Sequence, residues 1–145
     1  MAPVIPVPDA LALYSPRNPE YPVKKLLIVD DQLEIRKLIR LTLVRRYDLL
    51  EAEDAAGAWE IIQRERPDAV LLDVMMPGTL DGYGLCARIK ADPALARTHV
   101  ILVTARGQMT DRDQGREAGA DGYFVKPFSP LALISHLESA LAPAL

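Results

Sequence analysis

Between Lys24 and Leu141 the chain alternates short apolar runs with stretches of helical spacing, and few architectures accept that alternation. The runs are "KLLIV" (25–29), "DLLEA" (48–52), "DAVLL" (68–72), "HVILV" (99–103) and "GYFV" (122–125). Three of them are continuously apolar, which suits parallel strands covered on both faces and not a half-exposed antiparallel sheet. Between the runs, Ile35, Leu38, Ile39 and Thr42 share one helical face, as do Ala55, Ala58, Trp59 and Ile62, and then Gly82, Leu85, Cys86 and Ile89. A last helix carries Leu133, Ile134, Leu137 and Leu141, with Ser129 as its N-cap and Pro130 at its first position. Five strand–helix units predict one doubly wound α/β domain with right-handed crossovers.

The fourth helical stretch, Thr110–Ala118, has almost no large apolar face and holds Gly115 internally. A marginally stable helix, weakly held to its sheet, is expected there. Before it all, six of the twelve prolines fall ahead of residue 23. Residues 1–23 therefore read as a proline-rich arm that is extended or loosely ordered, unless it packs on the domain through Val4, Ile5, Leu11, Leu13 and Tyr14.

In doubly wound sheets the functional crevice lies beyond the carboxyl ends of the strands. The first strand is followed by Asp30 and Asp31, the third ends in Asp73, the fourth in Thr104, and the fifth in Lys126 before Pro127. Taken singly each is weak, since an Asp after a strand usually caps or turns and a Thr there is β-branched filler. Together they place three carboxylates, a hydroxyl and an ammonium on one edge. Clustered carboxylates repel and call for a compensating cation. Cys86 sits on a helix and neither His99 nor His136 falls at this edge, so the ligands are hard oxygens that select Mg²⁺ or Mn²⁺ over zinc or copper. Such a metal completes its shell with waters and a phosphate. Asp73 alone on its strand is the candidate acceptor of a phosphoryl group, with Asp30 and Asp31 as the metal-holding pair and the Met75 carbonyl as a further ligand. Lys126 and the Thr104 hydroxyl would contact phosphoryl oxygens.

The net charge of −3 leaves no basic footprint, so direct nucleic-acid binding is not expected. One cysteine cannot form an internal disulfide, the start "MAPVIPVPD" is no signal peptide, and no apolar run approaches the ~18 residues of a membrane span. A cytoplasmic protein without membrane insertion is the expectation.

At this point the chain resembles the receiver domain of bacterial two-component response regulators. The matching pieces are "LLIVDD", "PDAVLLDVMMPG", "DGYGLCARIK", "VILVTARG" and "AGADGYFVKPFSPLAL", in the family's order, over residues 24–142. The resemblance implies a flavodoxin-like, three-layer α/β/α fold with strand order 2-1-3-4-5; with four residues after Leu141, a single-domain receiver with no output domain is the expectation. It implies that Asp73 is the phosphoacceptor, that Asp30, Asp31, Asp73 and the Met75 carbonyl hold Mg²⁺, that Thr104 is the switch hydroxyl and that Lys126 contacts the phosphoryl group. Tyr123 matches the aromatic that swings inward on activation, and the Lys126–Pro127 bond would be cis. The implied partners are a sensor histidine kinase or phosphotransfer protein and an unknown downstream protein bound around Thr110–Ala118, Tyr123 and the last helix. The chain would be a signalling phosphoacceptor and not an enzyme acting on other substrates.

Two features depart from the family. "MPGTLDG" carries both Thr79 and Leu80 where one residue is usual, and the final helix lacks the basic residues that support the symmetric dimer of DNA-binding regulators, so a homodimer stays open. Met75 and Arg106 flank the acceptor and switch positions, where access of water would be controlled. Other readings fit less well. A docking module that ignores phosphorylation should have lost a site residue, and none is lost. A haloacid-dehalogenase-type phosphohydrolase needs Asp-x-Asp where "VDDQLE" stands, a nucleotide or flavin site needs a Gly-rich loop after the first strand, and "DRDQGRE" has Arg116 where a calcium loop needs Gly.

Overall fold

The structure is a computed structural model that describes residues 23–105 and 109–141. The arm expected over 1–23 lies outside the described residues except for Val23, and so does Arg106. The elements run β1 Lys25–Val29, α1 Leu33–Leu43, β2 Asp48–Ala52, α2 Ala55–Glu65, β3 Ala69–Asp73 and α3 Gly82–Ala91. After a 3-10 turn at Pro93–Leu95 come β4 His99–Thr104, α4 Met109–Glu117, β5 Gly122–Val125 and α5 Pro130–Ala140. The five strands form one parallel sheet in the order β2-β1-β3-β4-β5, as the resemblance implied.

Strand alternation divides the apolar runs between two cores. Leu27, Val29, Val70, Leu72, Val100 and Leu102 face the α2 and α3 side, where Ala58, Ile62, Leu85, Cys86 and Ile89 meet them. Leu26, Ile28, Ala69, Leu71, Ile101 and Val103 face the other side, covered by Ile39 and Leu43 of α1 and by Leu133 and Leu137 of α5. Capping follows the sequence: Asp54, Asp81 and Ser129 each accept a hydrogen bond from the third residue beyond them, at the starts of α2, α3 and α5.

The structure corrects one helical face. Leu38 is 58% exposed, and the sheet-facing residues of α1 are Ile39 and Leu43. The helix is rolled relative to the expected stripe because α5 packs alongside it and the two share the sheet face. No helix among the described residues is long and apolar enough to cross a membrane.

Candidate functional site

Parallel strands in this order bring their carboxyl ends to a single edge. Asp73, the last residue of β3, lies opposite Val103 in the β3–β4 register, one residue before Thr104. Asp30 follows β1 directly, and its N–H is tied to the Ala52 carbonyl at the end of β2. Lys126 follows β5, with its backbone N–H on the Thr104 carbonyl at 2.6 Å. The Lys126–Pro127 peptide is cis. The sheet itself therefore assembles the residues that the sequence placed on one edge.

Asp30, Asp31 and Asp73 each offer a carboxylate oxygen, and these oxygens lie within 4.8 Å of one another. Asp30 and Asp73 are buried, while Asp31 is exposed. Each buried carboxylate has one oxygen fixed by the chain and one turned to Lys126. Asp30 Oδ1 accepts the Gln32 N–H at 2.9 Å and Oδ2 accepts Lys126 Nζ at 2.7 Å. Asp73 Oδ1 accepts the Met75 N–H at 3.0 Å, and its Oδ2 stands 3.5 Å from Lys126 Nζ. The Met75 side chain points outward and is 73% exposed.

The charges do not balance. Three carboxylates meet one ammonium, and the nearby Arg36 guanidinium spends its hydrogen bonds on the Asp30 carbonyl and on Glu51. Burial pushes the Asp73 carboxyl above its ordinary range, the Met75 N–H opposes this, and the charge of Asp30 adds to it. Burial acts to lower the Lys126 ammonium, but its bond to Asp30 and the charge of Asp73 prevail, so it is held above its ordinary range and stays charged. A cluster with two negative charges in excess, made only of hard oxygen donors, fits a divalent cation of the Mg²⁺, Mn²⁺ or Ca²⁺ kind. His99 and His136 lie away from it, at the amino ends of the strands, with their Nε2 atoms 2.8 Å apart.

Thr104 is buried at the end of β4. Tyr123 pairs in register with Leu102, and its ring packs on the α3–α4 side of the sheet, the side to which Thr104 also alternates. The weakly apolar α4 explains itself here. Gly115 is its one buried residue among those whose side chains are described, and a Cβ there would come within 3.2 Å of Leu102 and 3.4 Å of Tyr123. The missing side chain is what lets α4 lie against the Tyr123 ring.

Gly82 plays a part that its place on a helical face did not signal. A Cβ at this position would collide with the Asp73 carbonyl and stand 2.6 Å from Val74 Cα, so the first residue of α3 is pressed against the backbone that carries the central carboxylate. Its N–H bonds the Val74 carbonyl. The extra residue beside it is accommodated inward. Leu80 is half-buried against the α2–α3 core, and its Cδ1 fills the space that a Cβ at Gly84 would take.

Comparison with known proteins agrees with this geometry. A family model described as the response regulator receiver domain matches residues 26–138. A probable transcriptional regulator, ycf27, of Cyanophora paradoxa is 43% identical over 120 residues, covering 81% of this chain and 48% of its own length. The phosphate regulon transcriptional regulatory protein PhoB of Pseudomonas aeruginosa is 42% identical over 119 residues, covering 81% and 52%. The chain thus spans about half the length of the curated relatives it matches. Among solved structures, a putative response regulator from Chloroflexus aurantiacus superposes with a TM-score of 0.79 at 34% identity, covering 84% of this chain and all of that one.

Proposed function

The chain belongs to the response regulator receiver family, and from that premise we propose that it works as a phosphoacceptor in a two-component phosphorelay. Asp73 is the acceptor. Its carboxylate oxygen attacks the phosphorus of a phosphohistidine on a sensor kinase or phosphotransfer protein, the P–N bond breaks, and the imidazole nitrogen keeps the electron pair and takes up a proton. The product on this chain is an acyl phosphate, which water later cleaves at phosphorus to restore the carboxylate. Turnover of other substrates is not part of this function.

The observation that carries the proposal is the charge imbalance at the strand ends, where three carboxylates face one ammonium. Asp30, Asp31, Asp73 and the Met75 carbonyl would hold Mg²⁺, which supplies charge neutralisation for the incoming phosphoryl oxygens. Lys126 already bridges Asp30 and Asp73, and can follow the charge as it moves from carboxylate to phosphoryl oxygen. The Thr104 hydroxyl would hydrogen-bond that oxygen, and Tyr123 would respond by moving inward against α4, changing the protein-binding surface of 110–118, Tyr123 and α5.

Intact mass spectrometry after incubation with Mg²⁺ and a small acyl-phosphate donor tests this. The wild type should gain one phosphoryl group, and neither Asp73→Asn nor wild type in chelator should gain any. Wild type that gains none, or Asp73→Asn that does, overturns the proposal.

A further inference from the structure

The two histidines of the chain meet, although 37 residues separate them: His99 opens β4 and His136 lies midway along α5. Both are half-buried, with Nε2 atoms 2.8 Å apart and ring centroids 5.0 Å apart. That centroid distance is close to the longest that two imidazoles joined Nε2 to Nε2 can have, so the rings meet head-on and the N–H of one points at the lone pair of the other. A metal ion does not fit between nitrogens this close and this aligned, since each metal–nitrogen bond alone takes about 2.0–2.1 Å. The fold makes room for the meeting. A Cβ at Gly122 would stand 2.8 Å from His136 Nε2 and 2.9 Å from its Cε1, so the glycine that opens β5 is what lets the ring lie there, and the Phe124 ring packs against it at 88°.

We propose that the His99–His136 pair is a pH-operated latch on α5, closed while the two rings hold at most one added proton and released when both are charged. In the neutral pair one Nε2 carries a hydrogen and the other is bare. A first added proton goes to the Nδ1 of the donor ring and leaves the bond in place. A second goes to the bare Nε2 and turns the acceptor into a donor, so two N–H groups on two cations face each other and the rings must part. Little nearby offsets those charges. Ahead of β5, Asp121 favours a charged His99, but its carboxylate is held by the Val100 N–H and by Lys90 of α3, whose own charge opposes. Ahead of β3, Asp68 takes the His99 N–H on its carbonyl and turns its carboxylate to the Lys25 N–H. On α5 itself Glu138 is paired with Arg46. Burial is the strongest influence and holds His99 below its ordinary value of 6.5, whereas parted rings bind protons at ordinary affinity, so release is favoured as pH falls below 6.5. The element set free is α5, which Leu133 and Leu137 on either side of His136 otherwise hold to the sheet. Because α5 belongs to the proposed protein-binding surface, the latch would make that surface respond to acid; only this consequence rests on the phosphoacceptor reading.

Amide hydrogen exchange of the full chain, corrected for the intrinsic rate at each pH, tests the latch. Between pH 8 and pH 5 the protection of α5 should fall about tenfold or more beyond any fall in β1 and β3. In His136→Gln and in His99→Gln, which keep a hydrogen-bonding side chain that does not titrate, the fall in α5 should shrink to that of β1. Imidazole nitrogen spectra of the wild type at pH 8 should show one Nε2 protonated and the other bare. The proposal is overturned by α5 protection that falls no more than that of β1, by the same excess fall in either variant with a native sheet spectrum, or by two rings that titrate independently near their ordinary value.

Discussion

The two ends of the same five strands treat charge in opposite ways. At the amino ends opposite charges pair: Lys25 bonds Glu65 and gives its backbone N–H to Asp68, while Lys90 pairs with Asp121, which also accepts the Val100 N–H at 2.8 Å. His99 and His136 share a single hydrogen bond. At the carboxyl ends three carboxylates crowd around one lysine. Polar groups at the first edge satisfy one another and hold the fold, whereas those at the second are left short of positive charge. Such a deficit costs stability without a cation and is kept where a bound ion or phosphoryl group resolves it.

Four measurements would break or sharpen this contrast. Gly82→Ala carries the largest expected effect, because its Cβ meets backbone and not a side chain that could swing away. A loss of about 1–3 kcal/mol or more in denaturant stability is expected, together with slower phosphoryl gain at Asp73. Unchanged stability would show that the carboxyl edge is not set by this contact. Next, Asp121→Ala should cost about 1–3 kcal/mol, since it strips the Val100 N–H of its acceptor and leaves Lys90 with the Thr98 carbonyl but no countercharge. Asp31→Asn is the matched change at the other edge. In metal-free buffer it should be neutral within about 0.5 kcal/mol or slightly stabilising, because it removes an exposed like charge from the cluster. The same variant should lose the rise in melting temperature that Mg²⁺ gives the wild type. Equal destabilisation by Asp121→Ala and Asp31→Asn would erase the distinction between the edges.

The smallest effect is the pH response of the amino edge. Burial lowers the His99 pKa below its ordinary value of 6.5, and the His136 and Lys90 charges act the same way against Asp121. The unfolded chain then binds the proton more tightly than the folded one. The contribution of His99 is fully present above pH 6.5 and declines as pH falls below it. Urea midpoints from pH 8 to 5 should show this decline, and His99→Gln should flatten most of it.

Much of the carboxyl edge was legible in the sequence. The continuous apolar runs could only be strands covered on both faces, and a strand that must stay buried has to discharge its polar residues at its ends. Asp30, Asp73, Thr104 and Lys126 follow from that, and parallel pairing brings them together. The family resemblance added the strand order and the cis Lys126–Pro127 bond. The roll of α1 was not legible, because spacing marks an apolar stripe and not the neighbour that claims it, and α5 displaces Leu38 into the open. The need for glycine at 82 was hidden too, since a glycine at the start of a helix looks the same whether it faces solvent or the backbone of Asp73.

By itself, then, the sequence determined which chemical groups this protein places at its strand ends and the architecture that gathers them, since both depend on local alternation of apolar and polar residues. Only the tertiary structure decided the charge balance at each edge, the close approach of Gly82 and Gly115 to their neighbours, and the meeting of His99 with His136. Those depend on distances between residues far apart in the chain, and differences of a few tenths of an ångström there separate a contact from a clash.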